Sequence, residues 1–233
     1  MRFVFTIFGV DFSFGMEPLA EVLIPLSVIG ILSASTVSVT QPNIKRMLAY
    51  SSVAQIGYIV LGLAMGTAMG LTAALLHMFN HGLMKGALFM AMGAVAYRMG
   101  GTEISDMKGL AKTMPLTFWA FVLGGLSLIG VPLTVGFVSK WHLILAALEL
   151  GWWPIVIVIL AGSMLAVLYV GRVIEAGFFG QPADTTRREA PMGMLVPLWI
   201  LVIANIWFGI DTRLTVDIAE AAAAQLMAGG VAL

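Results

Sequence analysis

Leu116 to Leu150 reads LTFWAFVLGGLSLIGVPLTVGFVSKWHLILAALEL. Nearly all of it is apolar, yet one continuous helix of this length would run roughly 50 Å, against a bilayer hydrocarbon core of about 30 Å. Its middle, Leu128-Ile129-Gly130-Val131-Pro132-Leu133-Thr134-Val135-Gly136, gives the reason to divide it. Pro132 lacks a backbone donor and clashes with the preceding turn, while Gly130 and Gly136 weaken the helix on either side. The stretch is expected to form two half-helices joined by an unwound segment at about residues 130–136. Free backbone groups at membrane depth survive only inside protein or beside water, and broken helices of this kind mark ion or substrate sites in transporters. A proline kink without function is the plainer alternative.

The rest of the chain suits the same solvent. Of 233 residues, 60% are hydrophobic and only 10% charged, against roughly 25% charged in a soluble domain. Net charge is formally zero, so nothing points to a nucleic-acid or acidic partner. Cysteine is absent, which excludes disulfides, thiolate metal sites and cysteine nucleophiles. Met1 to Val10 is short for a signal peptide and lacks a small-residue cleavage site, so no processing is expected.

Six stretches are long and apolar enough to span: Val22 to Val39, Ile44 to Met65, Leu71 to Tyr97, Leu116 to Leu150, Pro154 to Ile174 and Met192 to Ile210. Turn chemistry separates them at Thr40 to Asn43, Gly66 to Gly70, Gly100-Gly101 and Gly180 to Pro191. Asn43 and Thr113 are expected to cap the second and fourth spans. The expectation is an all-α integral membrane protein of six spans, one of them broken. A short hydrophobic segment (1–21) precedes it, and a polar, alanine-rich tail (211–233) follows as an interfacial helix or a frayed end. With connections placed alternately on two sides, one side collects Lys45, Arg46, Arg98, Lys108, Lys112, Arg172, Arg187 and Arg188, and the other Arg213. By the positive-inside rule the first side is cytoplasmic.

Two cations remain inside spans. Lys85 lies deep in the third, and Lys140 follows the break in the fourth. A lysine at a helix centre costs about 2.5–3.5 kcal/mol on insertion scales and is a functional hypothesis by default. Low dielectric disfavours any charged form, and a lysine near neutrality can release and regain a proton. Snorkelling to the headgroups is the competing reading, weaker for Lys140 than for Lys85. His77, His81 and Lys85 stand at i, i+4 and i+8, in one row about 6 Å apart per step, with Asn80 bordering the same face. Histidine can accept a proton on one ring nitrogen and donate from the other. Paired histidines can also hold zinc, but with no cysteine and no carboxylate on this helix neither metal nor cofactor is expected. Ser51 and Gln55, with Tyr58 one turn on, form a weaker stripe, read as interhelical glue with a wetted relay surface as the alternative. Glu149, at the far interface, is a proton exit or merely a wetted end. His142 points from another face.

These residues also carry a resemblance. Asn43-Ile44-Lys45-Arg46-Met47-Leu48-Ala49-Tyr50-Ser51-Ser52-Val53-Ala54-Gln55-Ile56-Gly57-Tyr58 resembles the signature of the antiporter-like membrane subunits of respiratory complex I and Mrp-type sodium/proton antiporters. His77 to Phe89, Ile104 to Leu110 and Gly130 to Trp141 are similar to further segments of that family. The likeness is nearest to the Mrp-type members in which a lysine, rather than a glutamate, stands at the position of Lys140. The resemblance implies two inverted five-helix repeats, each with one broken helix, joined by a central line of lysines and histidines. It places Lys85 on that axis with His77 and His81 beside it, and makes Lys140 the terminal lysine of the second repeat. Lys45 matches a family lysine, though a cytoplasmic anchor explains it equally well.

Only the second repeat (22–176) and one trailing helix (192–210) find counterparts. The chain is therefore expected to be half of a split subunit, with a separate polypeptide supplying the first repeat and other membrane subunits completing a complex in the bacterial inner membrane. It would conduct protons through His77, His81, Lys85 and Lys140, supported by Ser51, Gln55, Asn80, Pro132, Gly136 and Glu149, and exchange them for sodium. Two alternatives stay open: a proton-pumping subunit of a redox-driven complex I-like or hydrogenase-like assembly, and a structural subunit that only docks partners. In none is the chain itself an enzyme.

Overall fold

The computed structural model describes residues 17–182, 186 and 189–228, which form helices and connecting turns. The segment 1–16, Arg187, Arg188 and the last five residues of the tail lie outside the described residues. The helices are α1 (Glu17–Thr40), α2 (Ile44–Ala64), α3 (Ala68–Met99), the short α4 (Leu110–Thr113), α5 (Pro115–Ile129), α6 (Val135–Glu149), α7 (Trp153–Phe179), α8 (Met192–Ile210) and α9 (Arg213–Met227), with a 3-10 turn at Ile104–Met107.

Four of them, α1, α2, α7 and α8, have the length and hydropathy to cross a membrane. The two other expected spans depart from that pattern for different reasons. α3 is longer, 32 residues, but its middle carries His77, Asn80, His81 and Lys85. The fourth expected span is two helices of 15 residues, each roughly 22 Å long and short of the hydrocarbon core by itself. α3 is the hub: it packs against α2, α5, α6, α8 and α9, while α1 flanks α2 and α7. The polar helix is thereby wrapped in apolar ones, the arrangement a bilayer demands of internal charges. Its own Leu88 and Ala91 share one buried cluster with Phe121 and Leu128 of α5 and Val135 of α6.

Turn chemistry fixes the ends. Asn43 caps α2 as expected, accepting the Arg46 N–H at 3.2 Å. The connection before α3 is shorter than the Gly66 to Gly70 expectation because Thr67 caps the helix, accepting the Gly70 N–H at 3.0 Å. Thr113 does not cap α5; it closes α4, and Pro115 opens α5 with no side-chain cap from Met114. The free N–H groups of α5 instead reach Glu189, whose carboxylate accepts from Leu116 N (2.8 Å), Thr117 N (3.3 Å) and Thr117 Oγ1 (2.6 Å). A carboxylate at a helix N-terminus also suits the macrodipole. On the same side of the bundle, Ile44 N donates to Thr102 O (2.8 Å) and Ile104 N to Pro42 O (2.9 Å), tying two loops together. The tail is helical over α9, which lies against α3 with Ala223 packed on Leu71.

Candidate functional site

The break between α5 and α6 contains two backbone positions with positive φ, Gly130 (94°) and Leu133 (72°). Gly130 ends α5 in the left-handed conformation, its N–H reaching Leu126 O at 3.0 Å, and Val131 N reaches the same carbonyl at 3.1 Å. Glycine takes that conformation without steric cost. Leu133 does so as an exposed side chain at the edge of the break. Pro132 has no N–H, so the ladder cannot continue through it. The half-helices close up beyond the gap: a Cβ on Gly136 would collide with Ser127 O, so only glycine fits where α6 passes the end of α5.

Ending a helix inside the bundle frees carbonyls that have no intrahelical donor. Leu128 O and Ile129 O receive no backbone N–H among the described residues. Both instead accept from Lys140 Nζ, at 3.0 and 2.9 Å, and Ser163 Oγ of α7 takes a third contact at 3.0 Å. A cation at a helix C-terminus is favoured by the dipole as well. Lys140 is 5% exposed, so it does not snorkel. Its Nζ also stands 5.2 Å from the centroid of the Tyr58 ring, within cation–π range. Tyr58 is itself fixed: its hydroxyl donates to Ile159 O at 3.4 Å and lies where any Cβ on Gly162 would fall.

Lys85, 6% exposed, is equally enclosed. Its Nζ donates to Leu48 O of α2 at 2.8 Å and to Ser51 Oγ. Between the two lysines stands His77. Gln55 Oε1 of α2 accepts from Nε2 at 3.0 Å, so Nε2 carries the proton, and Nδ1 accepts from Ser139 Oγ of α6 at 2.8 Å. The His77 ring meets Tyr58 edge-on at 5.5 Å. Leu48, Ser51, Gln55 and Tyr58 recur every three or four residues, on the one face of α2 turned towards α3. The stripe expected to be glue thus supplies the partners of Lys85 and His77. Ser139 precedes Lys140 on α6, which brings the His77 end of the polar row beside the Lys140 pocket.

The other expected site residues divide. His81 stays in the row, half-buried, with Nδ1 lacking a partner among the described residues. Asn80 is buried and donates to Val135 O at 2.7 Å, at the start of α6, while its Oδ1 has no such partner. The break is shorter than the expected 130–136, covering residues 130–134, so Gly136 lies in the first turn of α6, while Pro132 is exposed within the break. Glu149 is exposed at the end of α6, away from the cluster, and His142 turns back to Val138 O at 2.8 Å. Ser139 and Ser163 were not legible in advance. A serine in an apolar helix ordinarily bonds its own preceding turn, as Ser33 does with Ile29 O, and sequence does not tell the two uses apart.

The arrangement holds two enclosed amines, a histidine with both ring nitrogens engaged, and hydroxyl and amide groups that donate or accept in turn. Such a set can pass a proton between neighbours without any covalent chemistry.

Residues 2–166 match the family described as "NADH:quinone oxidoreductase/Mrp antiporter, TM". The chain is 44% identical over 209 residues to NADH-quinone oxidoreductase subunit N of Desulforudis audaxviator, covering 84% of this chain and 42% of that protein. It is 36% identical over 197 residues to F(420)H(2) dehydrogenase subunit L of Methanosarcina mazei, covering 78% and 29% respectively. Among solved structures, a chain of the Mrp complex from Dietzia sp. superposes with a TM-score of 0.89 at 26% identity, over 97% of this chain and 50% of that one. A chain of the archaeal membrane-bound sulfane sulfur reductase gives 0.84 at 33% identity, over 90% and 43%. The chain thus spans half or less of the length of these relatives.

Proposed function

Starting from the membership of this chain in the NADH:quinone oxidoreductase/Mrp antiporter transmembrane family, we propose that it conducts protons through the membrane as part of an antiporter-like subunit of a multisubunit complex. Lys140, His77, His81 and Lys85 carry the proton, with Ser139, Gln55 and Ser51 as the polar links. The observation that carries this reading is the enclosure of both lysine amines, each bonded only to neutral carbonyls and hydroxyls. An amine so placed gains or loses its proton without breaking an ion pair, and a change in the surrounding oxygens changes its hold on that proton.

The residues here form one half-path, and a complementary repeat, such as the one occupying the remaining length of the relatives, completes it. That repeat and the neighbouring membrane subunits are the partners, and the site is a plasma membrane of a bacterium. Exchange of protons for sodium rests on the Mrp likeness. A redox drive rests on relatives named as subunits of an NADH-quinone oxidoreductase and an F(420)H(2) dehydrogenase.

The test is proton flux in proteoliposomes holding the intact complex, with Lys140→Ala against the unsubstituted protein. Coupled flux is expected to fall on the order of 100-fold, the scale of removing a positioned proton carrier, with assembly intact. Unchanged flux in a fully assembled mutant complex defeats the proposal. Running the same vesicles with a sodium gradient and then with reductant separates the two driving forces.

A further inference from the structure

α8 is apolar throughout except for one amide, Asn205. It is 1% exposed and faces inward. Its Oδ1 accepts from Ser127 Oγ of α5 at 3.0 Å, and its Nδ2 donates to Leu201 O at 2.8 Å. Ser127 Oγ in turn accepts the Gly136 N–H of α6 at 3.4 Å. One hydroxyl, itself fully buried, therefore joins three helices: the two halves of the broken span and the helix that follows the repeat. One turn further along α8, Gly209 lies against the break as well; a Cβ there would come within 2.5 Å of Thr134 Cα. The two residues after Ser127 are Leu128 and Ile129, whose carbonyls hold Lys140 Nζ. Rotation of the last turn of α5 would swing Ser127 Oγ and those carbonyls together, because they share one turn of backbone.

We propose that Asn205 is a positioning residue: by holding Ser127 it fixes the last turn of α5 in the orientation that aims the Leu128 and Ile129 carbonyls at Lys140 Nζ. The helix that trails the repeat in sequence is then a working part of the broken helix. The inference rests on the role proposed for Lys140. The titratable groups near Lys140 are Tyr58 of α2 and His77 of α3. α5 and α8 carry no titratable side chain, and α7 presents Ser163.

The experiment compares pH profiles of proton flux by the reconstituted complex for Asn205→Leu, Ser127→Ala and the double substitution. Misaimed carbonyls hold the ammonium less well, so the midpoint is expected to move to lower pH by about one unit, a ten-fold change in proton affinity. Ser127→Ala cuts the link to Asn205 and also frees the Gly136 N–H, so the double variant should shift no further than Ser127→Ala alone. A helix that serves only as packing would lower the amount of assembled complex without moving the midpoint. If Asn205→Leu does not assemble, Ser127→Ala carries the same expectation from the other side of the bond. An unmoved midpoint in an assembled variant overturns the inference, as do additive shifts. Lys140→Ala run in parallel separates the failures: if it is inactive while Asn205→Leu keeps the original midpoint, only the role of Asn205 falls; if it is fully active, the role of Lys140 falls first.

Discussion

Lys85 and Lys140 solve the same problem with different backbone. Lys85 reaches across to an unbroken helix. Leu48 O, which it meets, also accepts the Ser51 and Ser52 hydroxyls at 3.0 Å each. Lys140 sits at the mouth of a helix that has been cut. Its two carbonyls exist as free acceptors only because α5 stops at Ile129. In the first pocket the amine is a guest on an already satisfied structure. In the second, amine and backbone complete each other. Breaking a helix inside a membrane bundle thus creates a cation cradle out of groups that every residue carries, without adding a single charged side chain.

Replacing each lysine by methionine keeps its length, removes the charge and separates the two pockets. Both variants should lose proton flux on the order of 100-fold. Their stabilities should differ. Lys140→Met leaves Leu128 O and Ile129 O buried without a donor, a cost of roughly 1–3 kcal/mol for each unsatisfied group. Lys85→Met orphans nothing of the kind and removes a buried charge, so it should be neutral or stabilising. Thermal unfolding of the detergent-purified complex measures both. Equal stability changes in the two variants would remove the distinction between the pockets.

A smaller effect is expected at Tyr58, whose ring touches Lys140 and His77. Tyr58→Leu removes the ring face under the ammonium, worth about 0.5–2 kcal/mol, and should slow flux several-fold. Tyr58→Phe keeps the face and gives up the hydroxyl's contacts to Ile159 O and Ser163, so flux should stay closer to that of the parent than in Tyr58→Leu. A loss in Tyr58→Phe as large as in Tyr58→Leu would show that the hydroxyl, not the ring, matters. Least of all is expected from Glu149→Gln. The carboxylate is exposed at the end of α6 and touches neither pocket, so flux should not change; a strong loss would make it the exit considered from the sequence.

What the sequence reveals follows what each residue costs. A lysine within an apolar span is expensive wherever its partners are, so Lys85 and Lys140 stand out from composition alone. Gly130 and Pro132 announce the break because their backbone chemistry is local. The partners are another matter. Ser163 and Ser139 look like the many serines and threonines that bond their own helix, as Thr36 does with Leu32 O. Glu189 replaces the expected Thr113 cap from 73 residues away along the chain, where no spacing rule reaches. Asn205 carries no periodic signal, and α8 reads as a plain spanning helix until Ser127 is seen beside it. Local cost is written in sequence; tertiary pairing between single polar residues on different helices is not.

If the two lysines carry protons, both amines exchange them rather than serving as fixed charges. Lys85→Arg and Lys140→Arg test it most directly, because guanidinium retains the positive charge and does not release it in a protein. In assembled, reconstituted complex, each substitution is expected to cut proton flux on the order of 100-fold. Flux equal to that of the parent protein in either arginine variant would contradict the claim at that position.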